Sequence, residues 1–329
     1  MRLRLVSHVA FALAALTGAA QLDAQTHVII VTGATGEPKY AASFHAAGSS
    51  LVDALVAQHG FKPDDITYLA ENPARDTTRI DGQSTKQELT RAIARVSARK
   101  NDRVLLILIG HGSHAGSESR FNLPGPDLTA AELAVMLEPL RAAQVAIVNA
   151  ASASGDFLPV LSGRNRVVVT ATKSSHERNE TLFPKFFVAA FATPGADADK
   201  DERVSLLEAF TFAKREVARA YEADSRLPTE HAMLDDDGDG RGSSEPDPRA
   251  GDGALARRFT IGVRAANSVA TGNHGARAVV IRKEQLESQI DSLRRRKATM
   301  TEEAYTRELE RLLLDLARVN QTLREGKSQ

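Results

Sequence analysis

Five short β-branched runs, separated by stretches with helical spacing, restrict this chain to one fold class. The runs are His27 to Thr32, Ile66 to Leu69, Val104 to Ile109, Val145 to Val148 and Arg166 to Ala171. Runs this continuously apolar suit strands buried on both faces. Between them, Ser49 to Val56, Thr85 to Val96 and Ala130 to Leu137 place apolar residues at helical intervals. Strands alternating with helices imply parallel βαβ units with right-handed crossovers. Residues 26–223 are therefore expected to form one three-layer α/β domain: a mostly parallel sheet with helices on both faces. We find no internal repeat.

Composition narrows the chemistry. With 329 residues, 42% of them apolar, the chain can bury a sizeable core. Lys plus Arg equals Asp plus Glu at 42 each, so no overall field favours nucleic acid or an anionic membrane. The chain has no cysteine. That removes disulfides, thiolate nucleophiles and thiolate-bound zinc together.

The two ends read differently from the middle. Arg2 and Arg4, the apolar Val9 to Leu16, and small Gly18-Ala19-Ala20 have the order of a secretory signal, with Ala24 a second cleavage point. The apolar run is too short for a membrane span. Residues 1–24 are thus expected to be a signal peptide, and the mature chain to be exported, periplasmic or secreted. Residues 224–275 are rich in Asp, Gly, Ser and Pro around 235–252 and read as a loop region. In 276–329, Leu286, Ile290 and Leu293 precede Tyr305, Leu309, Leu312, Leu316, Val319 and Leu323, with Thr301 starting the second helix. This pattern predicts a helical hairpin or coiled-coil arm, serving either self-association into a homo-oligomer or packing within the monomer.

The most readable chemistry follows two of the strands. Gly110-His111-Gly112 comes after Val104 to Ile109, and Ala151-Ser152-Ala153-Ser154-Gly155 after Val145 to Val148. Ligands and catalytic groups collect at the carboxyl ends of strands in open α/β sheets. If the two strands are neighbours, His111 faces Ser152 as a base faces a nucleophile, and the Gly112 amide is placed to serve an oxyanion.

These residues resemble the caspase–legumain (clan CD, C13-type) cysteine peptidases over roughly residues 27–223. The histidine position of that family falls on His111, the glycine whose amide serves the oxyanion on Gly112, and the cysteine on Ser152, with Ala151, Ser154 and Gly155 matching around it. A closer likeness is to exported bacterial proteins carrying Ser-Ala-Ser-Gly and a downstream Glu-Arg-Asn-Glu-Thr, here Glu177 to Thr181. The resemblance implies a caspase-haemoglobinase-like sheet and a peptide or protein ligand. The departure lies at the nucleophile. A hydroxyl needs concerted proton removal and a carboxylate orienting the imidazole, for which Glu118, Asp156 and Glu177 are the nearby candidates. Lys39 and Tyr40, with Ser174, Ser175 and Glu177, lie near the family's specificity positions without matching them. Two functions remain open: a peptidase with a His–Ser dyad, and a non-catalytic peptide- or protein-binding pseudopeptidase assembled through its carboxy-terminal helices.

A nucleotide reading fails. Val31-Thr32-Gly33-Ala34-Thr35-Gly36 resembles a dinucleotide loop, but Glu37-Pro38-Lys39 follows where the third glycine belongs, and no Tyr-x-x-x-Lys pair is present. A calcium reading fares better. Asp197, Asp199, Asp201, Arg203, Ser205 and Glu208 occupy the spacing of an EF-hand-type loop, between helical stretches Phe183 to Phe191 and Leu206 to Tyr221. Glu202 stands where that loop wants glycine, and Ser205 with Glu208 also spells a capping box. A second run, Asp235, Asp237 and Asp239, has Pro246 in place of the last carboxylate and reads first as a solvated loop. His231, near Glu230, reads as structural.

Overall fold

The computed structural model describes residues 25–97, 102–116, 118–201, 203–262 and 296–326, with isolated positions from 279 to 293. The expected signal peptide and Glu202 lie outside the described residues. Along the chain run β1 (Thr26–Thr32), α1 (Pro38–Ala57), β2 (Ile66–Ala70), β3 (Gly82–Gln83), α2 (Lys86–Val96), β4 (Arg103–Ile109) and β5 (Gly112–Ala115). Then come β6 (Glu118–Phe121), β7 (Leu128–Thr129), α3 (Ala130–Leu137), β8 (Gln144–Asn149), α4 (Phe157–Leu161), β9 (Arg166–Thr170) and α5 (Phe183–Ala190). Last are β10 (Val204–Ser205), α6 (Leu206–Ala223), β11 (Met233–Asp235), α7 (Ala254–Arg258), β12 (Thr260–Ile261) and α8 (Glu302–Gly326).

Seven strands form the central sheet in the order β11-β9-β8-β4-β1-β2-β3. Every neighbouring pair is parallel except β11 with β9. Side chains divide with a period of two. Val28 and Ile30 of β1, with Leu105, Ile107 and Ile109 of β4, pack on one face against α1, α5 and α6. Ile29, Val31, Val104, Leu106 and Leu108 pack on the other against α2, α3 and α4. Alternate residues point to opposite faces of a strand, so strands apolar at every position require helices on both sides. The three-layer α/β class follows.

Local signals set the helix starts. The Thr85 side chain accepts the Glu88 amide at the head of α2, and Thr129 with Glu132 forms a capping box for α3. Helix α1 begins at Pro38, well before the periodic stretch that opens at Ser49. Gly48 thins the pattern there, and a Cβ at that position would lie 2.3 Å from the Tyr68 hydroxyl. The packing of α1 on β2 thus outweighs helix propensity.

The 224–275 stretch, expected as a loop region, supplies parts of the domain. Its β11 pairs with β9, Leu234 bridges Ser243, and β12 pairs with β10. Beyond it, Leu286, Ile290, Leu293 and Leu312 form an apolar cluster of their own, with Tyr305, Leu309, Leu316 and Val319 packed against it. The two clusters on the sheet contain none of these residues. No helix among the described residues is long and apolar enough to cross a membrane.

Candidate functional site

Strands β4 and β8 are adjacent and parallel, with Leu108 opposite Asn149. Their continuations therefore leave the sheet at one rim, and Ala150 still donates to the Leu108 carbonyl at 2.9 Å. On one side Gly110 passes under the Phe121 ring, where a Cβ would stand 3.0 Å from it. The chain then enters β5, which turns back antiparallel to β6. Gly112 stands so close to the other loop that a Cβ would lie 2.0 Å from the Ser152 carbonyl oxygen. Only glycine permits that approach.

The Ser152 side chain uses this proximity. Its hydroxyl accepts the Gly112 N–H at 3.1 Å and donates to the Gly112 carbonyl at 3.2 Å. Ser152 is 4% exposed. The next residue, Ala153, has φ of +50°, a left-handed conformation that strains a side-chain-bearing residue. Its amide donates to the Glu177 carbonyl at 2.8 Å. Ser154 and Gly155 are fixed by the Thr172 hydroxyl, at 3.1 and 3.0 Å.

His111 has a different environment. Its ring meets Tyr40 edge-on with centroids 4.3 Å apart, and Phe44 at 5.0 Å, both from α1. Among the described residues the imidazole makes no hydrogen bond. Half-burial lowers its pKa below the ordinary histidine value, opposed by the charges of Glu180 and Glu37 and assisted by Lys39. The ring is therefore neutral at neutral pH, a base without an orienting partner.

None of the three carboxylates considered as a third member reaches it. Glu118 pairs with Arg120 at 3.4 Å. Asp156 accepts the Ser119 hydroxyl at 2.9 Å and the Ser175 amide at 3.3 Å, with His114 Nδ1 3.7 Å away. Burial pushes the Asp156 pKa up, but the bonds from Ser175 and Ser119 outweigh it and hold the group below its usual value. Glu177 takes His231 Nδ1 at 2.5 Å and the Lys173 amide at 3.0 Å. The carboxylates that act on His111 by charge are Glu180 and Glu37, which sequence reasoning missed. Glu180 sits inside the Glu-Arg-Asn-Glu-Thr run, and Glu37 immediately precedes α1. Of the specificity candidates, Lys39 lies 4.5 Å over the Tyr40 ring and 3.3 Å from Glu37. The Ser174 hydroxyl accepts the His176 amide at 3.4 Å.

The acidic loop is brought together in part. Ligand atoms of Asp197, Asp199 and Glu208 lie within 4.8 Å of one another. Asp201 instead accepts the Arg203 amide at 3.0 Å and faces its guanidinium at 3.5 Å. Ser205 caps α6 by accepting the Glu208 amide at 3.2 Å, and donates its hydroxyl to the Glu208 carboxylate at 2.7 Å. Among the described residues of this loop Lys200 is left-handed, at φ +57°. Three hard oxygen donors fit a divalent cation by their chemistry, although Glu208 already accepts the Ala198 and Asp199 amides and the Ser205 hydroxyl, and Asp197 the Asp201 amide. Asp235, Asp237 and Asp239 also converge within 4.8 Å. There Asp235 is fully buried in β11, accepting the Ser162 hydroxyl at 3.0 Å.

The opposite, amino-terminal rim holds a pair with no counterpart in the sequence reading. His27 Nε2 lies 2.9 Å from Asp102 Oδ2, with side chains 7% and 14% exposed. A cavity of about 400 Å³ opens beside it, lined by Gln25, His27, Lys62, Asp65, Thr67 and Arg95 among others.

No family model matches this chain, and no curated protein matches it. Among solved structures it is similar to caspase-1 from Spodoptera frugiperda, at 12% identity over 65% of this chain and 87% of that one, with a TM-score of 0.38. A likeness of that degree carries no argument about the chemistry of either rim.

Proposed function

We propose that this protein is an exported, caspase/legumain-like peptidase homologue that binds peptide or protein segments at the His111–Ser152 rim without cleaving them. The observation that carries the reading is the Ser152 hydroxyl, held between the N–H and the carbonyl of Gly112 at 3.1 and 3.2 Å. A serine nucleophile must pass its proton to a base as it attacks. Here that proton is directed to a backbone carbonyl, and the amide suited to an oxyanion is directed to the serine. His111, edge-on to Tyr40 and Phe44, offers an aromatic wall instead of a dyad partner. One observation favours the catalytic alternative: the strained Ala153 directly follows Ser152, and such strain collects at working sites.

The reading extends to the rest of the chain. The carboxy-terminal helices assemble copies, supported by Leu313 and Leu314 standing 45% and 53% exposed on α8. A calcium ion held by Asp197, Asp199 and Glu208 stabilises the loop before α6, supported by their convergence.

A fluorophosphonate probe tests the central statement. The intact protein is expected to stay unlabelled, and Ser152→Ala to bind peptide as the natural chain does. Labelling that disappears in Ser152→Ala would establish the hydrolase instead. In Ser152→Cys, a thiol with only a neutral imidazole nearby should gain peptidase activity that His111→Ala removes. If it gains none, the caspase/legumain kinship loses its support.

A further inference from the structure

We propose that Asp102 is a receptor for the chain's own amino terminus, generated when the exported protein is cut between Ala24 and Gln25. This rests on the export proposed above, and goes beyond it in naming the cut and what receives the new end. Cleavage adds water across the Ala24–Gln25 peptide bond. The oxygen leaves with Ala24 as a carboxylate, and both hydrogens go to the Gln25 nitrogen, which becomes an ammonium at neutral pH.

That nitrogen is already placed. Gln25 N lies 3.1 Å from Asp102 Oδ1, while the other carboxylate oxygen takes His27 Nε2 at 2.9 Å. The Gln25 carbonyl accepts the Arg103 amide at 2.7 Å, so the residue is in register with β4 before β1 begins at Thr26. Its side-chain amide donates to Asp65. Backbone on both sides and the side chain therefore fix Gln25, and a cut after Ala24 leaves no tail. A cut after Ala20, the other small-residue option, leaves four residues ahead of Gln25. The nitrogen then remains a neutral amide with a single hydrogen.

The setting makes the charge matter. Asp102 is 14% exposed at its side chain, and its neighbour His27 7%. Opposite charges near a protein surface interact several-fold more strongly than in bulk water, and a partly buried pair is screened less by salt. The cavity of about 400 Å³ lined by Gln25, His27 and Asp65 gives the ammonium's remaining hydrogens access to solvent. Holding the Gln25 amide on Asp65 also keeps it from attack by its own amine, the cyclisation that would erase the charge.

The experiment has two arms. Amino-terminal sequencing of the exported protein should read from Gln25 with a free amine. A start at Gln21, or a cyclised Gln25, overturns the proposal while leaving export standing; a chain retaining Met1 overturns both. In the second arm, mature chains beginning at Gln25 and at Gln21 are prepared by releasing each from a cleavable fusion. The Gln25 form should melt about 2–4 °C higher, the shift expected from one modest interaction in a chain this size. The difference should vanish in Asp102→Asn, and also when the Gln25 amine of the natural sequence is acetylated. The acetylated form keeps Asp102 and His27 intact, so it decides the matter even if the variant folds poorly. Equal melts, or a gap that survives acetylation, overturn the proposal.

Discussion

His27 and His111 stand at opposite ends of the same sheet, and their surroundings are inverted. At the amino rim, His27 has the carboxylate partner that an activated imidazole needs, 2.9 Å away. At the carboxyl rim, His111 shares its edge with Ser152, while its ring packs edge-on against Tyr40 and Phe44. The chain thus owns serine, histidine and aspartate in suitable environments, divided between two rims. A sheet sorts residues by the end of the strand on which they fall, and chemistry depends on that sorting more than on the inventory of side chains.

The contrast is sharpest where the carboxyl rim is tightest. Gly112→Ala would drive a Cβ to 2.0 Å from the Ser152 carbonyl and should cost about 3 kcal/mol of stability, read from the denaturant midpoint. A loss near zero would mean that the two loops are free to part. At the amino rim, Asp102→Ala removes the partner of buried His27 and the acceptor of Gln25 and should cost about 2 kcal/mol. An equal loss in Asp156→Ala, whose partners Ser119 and His114 belong to the carboxyl rim, would erase the difference between the ends.

The next effect is pH dependence. Burial lowers the His111 pKa below its unfolded value, so the fold prefers the neutral ring. Its contribution is complete above the unfolded histidine pKa, about 6.5, and is lost as pH falls through the folded value. Unfolding titrations should therefore show stability declining as pH falls from about 6.5 to the folded value, and less steeply in His111→Phe. An identical slope in the two proteins would place the titration elsewhere. The smallest effect expected is from calcium. Millimolar calcium should raise the melting temperature by a few degrees, and Asp199→Ala and Glu208→Ala should abolish the rise. An unchanged melt removes the ion from the account.

Much of the fold was legible because long apolar runs leave little choice. The five strands read from the sequence correspond to β1, β2, β4, β8 and β9, all interior to the sheet. The strands missed are the short ones. Gly82–Gln83 and Met233–Asp235 are edge strands of two and three residues. Too brief to show a period, they depend on a neighbour that only the fold supplies. Some helices were legible with caps, such as Thr129 before α3, and others, α1 and α5, from apolar spacing without a side-chain cap. At the rim, spelling placed His111 and Ser152 on adjacent strands but not the direction of a hydroxyl. That direction is set by the 3.1 and 3.2 Å bonds to Gly112, a contact between residues forty apart. Nor did any motif announce His27 with Asp102, because a side-chain contact between residues seventy-five apart has no local signature.

Among the described residues, the small apolar cluster of Leu286, Ile290, Leu293 and Leu312 shares no member with the two that pack on the sheet. Cooperativity comes from shared packing, so a protein with separate cores need not come apart in a single step. Calorimetry should resolve a low-temperature shoulder ahead of the main peak. Arg296 and Lys297 precede α8, so trypsin applied on that shoulder would trim the arm and leave the sheet domain whole.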